Sequence, residues 1–323
     1  MSESASTRLY DAIKGASSVL FTGPMDPDGD SLGACLALAR AAGGFSEATV
    51  HVAGEANYRY DWMPDSETLL DDGALLEHYD LVVVMDGDRK RLTRRVTDLF
   101  AAAKVTALVD HHRSSSPDGY DVVLLDPDSP STCEMVASML SDWDVALDPA
   151  MATHLYTGII FDTGGFKHEN TMSKTHALAA QLLDLGVQPA PVHAKVLHER
   201  TQGGLRLLGE VLGAARFYAD GEIVVGVVTE EAVRRLGIQS GDTEGIVDAL
   251  LNTAGVEVAV LVKESGDSAC RMSLRSKTRV NVAEIARTLH EGGGGHVRAA
   301  GCRVPTSLDA LMTRLPGVLE AAV

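Results

Sequence analysis

The chain has 323 residues, and its 28 basic and 45 acidic side chains give a net charge of −17. Residues 1–190 carry 13 basic and 29 acidic residues, whereas residues 191–323 carry 15 and 16. The length fits about two domains of ordinary size. A hydrophobic content of 45% is enough for a sizeable core and excludes a disordered acidic tail. The net charge excludes a protein coated with basic surface for long nucleic acid, but it leaves a local nucleic-acid site open.

The apolar stretch at 19–21 is too short for a signal peptide or a membrane span, so we expect no membrane attachment. The four cysteines are scattered and form no Cys-x-x-Cys pair. They are Cys35, Cys133, Cys270 and Cys302. This spacing disfavours a disulfide framework and a structural zinc site. We therefore expect a protein of the reducing cytoplasm.

Short apolar runs alternate with helical patterns in the first half of the chain. The run at 81–85 is continuous and rich in valine, as expected for a strand buried on both faces. The alternation predicts an α/β fold with an open parallel sheet covered on both faces. The predicted strands lie at 18–22, 48–53, 81–85, 105–109 and 122–125, and the predicted helices lie at 31–42, 131–143 and 150–161.

A second, smaller α/β unit is predicted near the end of the chain. Its predicted strands lie at 222–229, 256–263, 271–274 and 301–304, and its predicted helices lie at 246–253 and 281–289. The pattern from 173 to 215 is helical, with an interruption at 188–191, and indicates a connection between the two units. We therefore expect a domain at 1–188, a helical connector at 189–220 and a domain at 221–323.

Acidic and histidine side chains follow three predicted strands at the point where each strand ends. Ligands of open α/β sheets bind outside the carboxyl ends of the strands. These side chains should therefore share one edge of the sheet, with an aspartate from the end of the helix at 150–161. The set is Asp28, Asp30, Asp86, Asp110, His111, His112 and Asp162.

So many carboxylates at one edge predict a bound cation. Like charges at close range raise the pKa of each carboxyl group, and a hard divalent metal relieves that repulsion. Carboxylates with imidazole suit Mn²⁺ or Mg²⁺, and two ions roughly 3.5–4 Å apart would suit phosphoryl hydrolysis. Each feature alone has a simpler explanation, because Asp-Gly-Asp is usually a turn and an aspartate after a strand is often a helix cap. Their occurrence at consecutive strand ends favours the metal site.

A glycine-rich and basic stretch marks the second unit. The stretch from Arg271 to Arg298 contains six basic and two acidic residues, and the stretch from Gly292 to Gly301 contains five glycines. Glycines let the backbone approach a ligand and present N–H groups to phosphate, and arginine suits bidentate phosphate binding. The alternative is a flexible loop with scattered surface arginines. The histidine and arginine directly after the glycines favour a phosphate-binding site.

Taken in order, these stretches resemble the DHH phosphoesterase superfamily, above all its bacterial nano-RNase group of oligoribonucleases and 3′-phosphoadenosine 5′-phosphate (pAp) phosphatases. The resemblance covers nearly the whole chain. In the first half it rests on Asp28-Gly29-Asp30-Ser31-Leu32-Gly33, Asp86, Asp110-His111-His112 and Asp162-Thr163-Gly164-Gly165-Phe166. In the second half Leu274-Arg275-Ser276 and the run from Gly292 to Gly301 resemble the DHH-associated domain. The ordered set is specific, whereas the letters DHH alone are not.

The resemblance implies a role for each matched position. Asp86 would bridge two metal ions, Asp28 would bind the first ion, and His112 would face the substrate phosphate with Asp110 behind it. The ligands of the second ion would be Asp30, Asp86, His111 and Asp162. The substrate-binding residues would be Arg275, Ser276, Gly293, Gly294, Gly295, His296 and Arg298.

One position departs from the family pattern. The first motif of the family usually begins with a metal-binding histidine three residues before Pro27, where this chain has Pro24. Proline offers no ligand atom in its side chain, so Asp26 or a water is left to complete the first site. We therefore expect an intact second metal site and a first site of altered affinity.

The residues and the resemblance together predict a metal-dependent phosphoesterase that hydrolyses short oligoribonucleotides, pAp or both. Mn²⁺ or Mg²⁺ would be its cofactor, with two ions unless the first site is lost. A phosphodiesterase of cyclic or linear dinucleotides stays open, as does a non-catalytic nucleotide sensor with a degenerate first site. The glycine-rich run argues against an inorganic pyrophosphatase, and the length and charge argue against a RecJ-type exonuclease. A homodimer is compatible with the sequence.

Overall fold

The computed structural model describes residues 4–266 and 268–323, and the chain divides into two compact units after Glu199. The helices of the first unit are α1 (Ala5–Gly15), α2 (Gly29–Phe45), α3 (Arg94–Ala102), α4 (Thr132–Asp142), α5 (Pro149–Asp162), α6 (Ser173–Asp184) and α7 (Pro189–His193). Its strands are β1 (Ser18–Thr22), β2 (Thr49–Ala53), β3 (Leu69–Leu70), β4 (Leu81–Met85), β5 (Val105–Asp110) and β6 (Val122–Leu125). In the described part of the chain, no helix combines the length and apolar character needed to span a bilayer.

The six strands of the first unit form one parallel sheet in the order β3-β2-β1-β4-β5-β6. Alternate residues of β4 enter two different cores, with Val83 packed on one face and Val82 and Val84 on the other. All five residues of β4 are buried, because helices cover both faces of the sheet. The predicted doubly covered parallel sheet is confirmed.

The strand order brings the ends of the strands that carry the candidate residues together. β1 pairs with β2 on one side and with β4 on the other, and β4 pairs with β5. The chain thus changes direction across the sheet at β1, and parallel sheets bind ligands at such a switch point. The loops after β1, β4 and β5 are neighbours at this edge.

Helices α2 and α5 approach each other closely behind that edge because both carry glycine at their contact. A Cβ on Gly33 of α2 would overlap the carbonyl oxygen of His154, and a Cβ on Gly158 of α5 would overlap the Sγ of Cys133 and approach the Oδ1 of Asp30. Side chains at these positions would push the helices apart. The two glycines therefore help to fix the start of α2, where Asp30 lies.

The second unit contains a mixed six-stranded sheet in the order β11-β12-β10-β9-β8-β7. Its strands are β7 (Arg216–Tyr218), β8 (Ile223–Val228), β9 (Val258–Glu264), β10 (Cys270–Ser276), β11 (Gly294–Gly295) and β12 (Ala299–Val304). Its helices are α8 (Gln202–Gly213), α9 (Glu230–Leu236), α10 (Ile246–Leu251), α11 (Val282–Leu289) and α12 (Leu308–Glu320). β8 and β9 are parallel, the other pairs are antiparallel, and separate cores lie on the two faces. The predicted second α/β unit is confirmed.

The residues at 189–220, expected as a connector, divide between the two units. Val192 and Val196 pack into the core of the first unit, whereas Leu207 and Val211 of α8 pack into a core of the second. Each part therefore belongs to the hydrophobic core on its own side of Glu199.

Gly33→Ala should destabilise the protein by about 1–3 kcal/mol, because the added methyl group overlaps the backbone of α5. Gly43→Ala, in the same helix, is the matched control. No atom lies within 4 Å of its added Cβ, so alanine should be neutral or stabilise the protein by up to about 1 kcal/mol. Urea unfolding monitored by circular dichroism measures both. Equal unfolding free energies for the two variants would contradict the proposed helix contact.

Candidate metal centre

Four predicted ligands converge at the carboxyl edge of the first sheet. Asp30 lies in the first turn of α2, Asp86 follows β4, His111 follows β5, and Asp162 ends α5. One ligand atom from each lies within 4.8 Å of the others. The Nε2 of His111 lies 2.9 Å from Asp162 Oδ2 and 3.5 Å from Asp86 Oδ1. Three carboxylates and one imidazole are a donor set that suits a divalent cation such as Mn²⁺. We call these four residues the ligand cluster.

The backbone turns sharply at Asp86 to direct this carboxylate into the cluster. Asp86 has a φ of 57°, in the left-handed region that aspartate adopts more readily than most residues. Its N–H donates to the carbonyl of Val109, which ties the turn to the neighbouring strand. The next residue, Gly87, has a φ of 141°, which glycine adopts without strain. The turn therefore places a carboxylate beside the end of β5.

The start of α4 holds two of the carboxylates in place. The backbone N–H groups of Thr132 and Cys133 donate to Asp30 at 2.6 and 2.9 Å, and the Thr132 hydroxyl donates to Asp86 Oδ1 at 3.2 Å. A helix N-terminus also favours negative charge through its dipole. Sequence reasoning missed Thr132. The available signal was the capping pattern from Ser131 to Glu134, which marks a helix start but not what lies in front of it.

The carboxylates around His111 raise its pKa. Burial alone would lower the pKa of His111, but its hydrogen bonds to Asp162 and Asp86 raise that pKa to about 12. The Nδ1 of His111 lies 3.2 Å from the carbonyl oxygen of Ser129, which directs Nε2 toward the carboxylates. Burial, and then the charges of Asp162 and Asp86, raise the pKa of Asp30. The positive charge of a protonated His111 therefore offsets part of the negative charge of the carboxylates.

His112 lies beside the cluster and is held by Asp110. The Nδ1 of His112 is 2.8 Å from Asp110 Oδ1 and 3.6 Å from Asp86 Oδ1. Asp110 is fully buried, whereas the His112 side chain keeps 24% of its surface exposed. Burial would lower the pKa of His112, but the hydrogen bond to Asp110 and the charge of Asp86 raise it. The imidazole is therefore oriented and accessible.

Asp28 lies outside the ligand cluster, although the family resemblance makes it a metal ligand. Its Oδ1 accepts from the N–H groups of Asp30 and Ser31 at 3.1 and 3.0 Å and so caps α2. Among the described residues, the two groups able to hold an ion do not include it. Burial, and then the charges of Asp86 and Asp162, raise the pKa of Asp28. Pro24, the departure noted in the sequence, is buried in the same loop.

In the second unit, two predicted substrate residues bond to backbone carbonyls of the turn after β10. Ser276 Oγ donates to the carbonyl of Val280 at 2.6 Å, and the guanidinium of Arg298 donates to the carbonyls of Val280 and Thr278. The carboxylate of Glu257 accepts from the backbone N–H groups of residues 278–280. Together these bonds brace the turn after β10.

The glycine-rich run packs too tightly for larger residues. A Cβ on Gly293 would overlap the carbonyl of Ala286, and Gly295 has a φ of 135°. The backbone N–H of His296 donates to Ala299 at 2.7 Å, which closes the turn into β12. Arg275 lies in β10, with its Nε 3.7 Å from Asp248. The predicted substrate residues thus cluster around the turns that flank β10 and β12.

A two-domain α/β chain with a carboxylate–histidine cluster at the edge of a parallel sheet has the features of a metal-dependent phosphoesterase, and the comparisons specify its family. Residues 18–159 match the N-terminal domain of the DHH family, and residues 220–321 match the DHHA1 domain. The bifunctional oligoribonuclease and PAP phosphatase NrnA of Thermus thermophilus is 30% identical over 298 residues, which cover 92% of this chain and 86% of the relative. The chain belongs to the DHH family, as its sequence motifs predict.

Two further matches extend over most of the chain. The protein of the same name from Mycoplasma genitalium is 26% identical over 302 residues, which cover 93% of each chain. The solved structure of an exopolyphosphatase-related protein from Bacteroides fragilis matches with a TM-score of 0.86 at 23% identity, covering 98% of this chain and 96% of that one. The shared fold therefore includes both units.

Binding of Mn²⁺ at pH 7 should release at least one proton per ion, because His111 is protonated in the metal-free protein and must be neutral to act as a ligand. The apparent affinity should then rise about tenfold per pH unit between roughly pH 6.5 and 8.5. Titration calorimetry in two buffers of different ionisation enthalpy counts the protons. An affinity independent of pH, with no proton release, would contradict this description of the cluster.

Thr132→Val should weaken Mn²⁺ binding by about 10-fold or more, because it removes the hydroxyl that orients Asp86 while keeping the shape of the side chain. Thr132→Ser keeps the hydroxyl and should bind like the parent protein. Titration calorimetry gives both dissociation constants. The role of the hydroxyl is disproved if valine binds as tightly as threonine, or if serine binds as weakly as valine.

Proposed function

We propose that this protein is a metal-dependent phosphoesterase that hydrolyses short oligoribonucleotides and pAp. The convergence of Asp30, Asp86, His111 and Asp162 at one edge of the sheet is the observation that carries the proposal. The relatives named bifunctional oligoribonuclease and PAP phosphatase support the choice of substrates. The acidic first half of the chain also favours short substrates over a long polyanion.

The ligand cluster would hold the divalent ion, with Mn²⁺ preferred because an imidazole joins the oxygen ligands. A bound ion supplies a water of lowered pKa and a positive charge near the reacting phosphate. Asp30 and Asp86 stay fixed during binding because α4 donates hydrogen bonds to both. Asp162 is the more exposed ligand, with 20% of its side-chain surface accessible. It therefore lies toward the side from which a substrate would enter.

His112 would contact the substrate. Asp110 binds its Nδ1, so the opposite ring nitrogen, Nε2, is directed away from that carboxylate. The hydrogen bond to Asp110 and the charge of Asp86 raise the pKa of His112, which favours the protonated ring. The Nε2–H group can then donate to a phosphoryl oxygen or to the leaving oxygen, where negative charge develops during hydrolysis.

The second unit would bind the nucleotide end of the substrate. The backbone around Gly293–Gly295 and the side chains of Arg275 and His296 are the groups we assign to a phosphate. Ser276 and Arg298 would act indirectly, because their side chains bond to backbone carbonyls of the turn after β10, whereas the guanidinium of Arg275 donates to the carbonyl of Leu274 in its own strand. This division separates phosphate contacts from the bonds that shape the loop.

We also place the protein in a reducing compartment such as the cytoplasm. Its four cysteines are buried free thiols. Disulfide-poor chains with buried thiols are typical of reducing compartments.

Hydrolysis of a labelled RNA dinucleotide and of pAp, with Mn²⁺ present or chelated, tests the proposal. Asp86→Asn should lower kcat by at least about 10²-fold, because it removes the carboxylate shared by both ion-binding groups. Asp98→Asn is the control, since it removes an equal charge from the exposed face of α3. Binding of both nucleotides without turnover at any Mn²⁺ concentration would instead indicate a sensor.

A further inference from the structure

Among the described residues, one group supplies a full set of ligands for a divalent ion. The second group of potential ligands consists of Asp86, His111 and His112, so it shares two members with the ligand cluster. Its third member, His112, already bonds to Asp110 through the same Nδ1 that faces Asp86. The single ring nitrogen that His111 directs into the cluster can bind only one ion, whereas the carboxylate of Asp86 could contact two. A second ion would have to bind on the Asp28 side of Asp86.

On that side the side chains supply few ligand atoms. The Oδ1 atom of Asp28 accepts hydrogen bonds from the first turn of α2, and Pro24 carries no ligand atom in its side chain. Divalent ions such as Mn²⁺ and Mg²⁺ usually take several oxygen or nitrogen ligands. The residues on the Asp28 side therefore do not suit a second ion, whereas the ligand cluster suits the first.

A permanent positive charge lies on the same side. The side chain of Arg91 folds over the turn after Asp86, so that its Nη1 is 3.4 Å and its Cδ 3.5 Å from the position of a Cβ on Gly87. The carbonyl of Arg91 accepts from the N–H of Met25 at 2.8 Å, which ties it to the loop that contains Asp28. The guanidinium thus lies over the turn after Asp86, and the backbone of Arg91 is tied to the loop that contains Asp28.

Arg91 lies in a turn that a side chain caps. Asp88 caps a short 3₁₀ turn through a hydrogen bond from the N–H of Lys90 at 2.9 Å. The charge of Arg91 acts on the carboxylates of both Asp28 and Asp86. Arginine remains charged at any pH the protein meets. It therefore partly neutralises the two carboxylates at all times.

We propose that each chain binds one divalent ion, in the ligand cluster, and that the guanidinium of Arg91 supplies the positive charge on the Asp28 side that a second ion would otherwise provide. The role of Arg91 in hydrolysis rests on the proposed function. Arg91 is exposed at the protein surface, and a guanidinium offers several N–H donors to phosphoryl oxygens. It would help to hold the reacting phosphate beside the bound ion.

Mn²⁺ stoichiometry tests the proposal without any substrate. The full chain, stripped of metal, is titrated with Mn²⁺ and followed by calorimetry and electron paramagnetic resonance. We expect one ion per chain and the spectrum of an isolated Mn²⁺. Arg91→Gln should bind that ion about tenfold more tightly, because a neighbouring positive charge is lost. Arg94→Gln, an exposed arginine of α3, is the matched control and should bind like the parent protein.

A double variant, Pro24→His with Arg91→Gln, should gain a second ion and a spin-coupled spectrum, since it adds a ligand and removes the competing charge. Circular dichroism checks that each variant folds. Two coupled Mn²⁺ ions in the parent protein would overturn the proposal. So would an Arg91→Gln affinity equal to that of Arg94→Gln. These results are independent of turnover, so failure here is distinct from an absence of nucleotide hydrolysis, which would reject the proposed function.

Discussion

The architecture of the first unit depends on one electrostatic constraint, which is that buried carboxylates converge at the end of a parallel sheet. Asp30 and Asp86 are almost wholly buried, and Asp162 lies close to both. Such a cluster is stable only with compensating donors and positive charge. The chain supplies backbone N–H groups from α4, a proton on His111 and, as proposed, the charge of Arg91. A divalent ion bound by these groups would complete this compensation.

Local patterns predicted the elements that build this edge. The all-apolar run of β4 indicated a strand buried on both faces, and the structure places it between β1 and β5. Residues that directly follow parallel strands lie at one edge of the sheet. Asp86, His111 and His112 could therefore be placed together from the sequence. The glycine-rich run before β12 likewise indicated a turn that other residues cannot form, as its tight packing shows.

The remaining features depend on contacts between distant residues. Thr132 lies 102 positions from Asp30 and 46 from Asp86, so no local pattern reveals its hydrogen bonds. Asp28 is predicted as a metal ligand, and the folded loop adds that its Oδ1 caps α2. Among the helices missed from the sequence, α1 buries only Leu9 and Ile13, which is a short signal. Helix α12 buries Leu311, Leu315 and Leu319 at helical spacing, but Pro316 interrupts the pattern.

The central claim is that a divalent ion binds among Asp30, Asp86, His111 and Asp162. Anomalous diffraction from crystals soaked in Mn²⁺, recorded at the manganese absorption edge, tests it directly. The strongest peak should lie within bonding distance of His111 Nε2 and of an oxygen from each of the three carboxylates. A strongest peak elsewhere in the molecule, with no density among these four side chains, would contradict it.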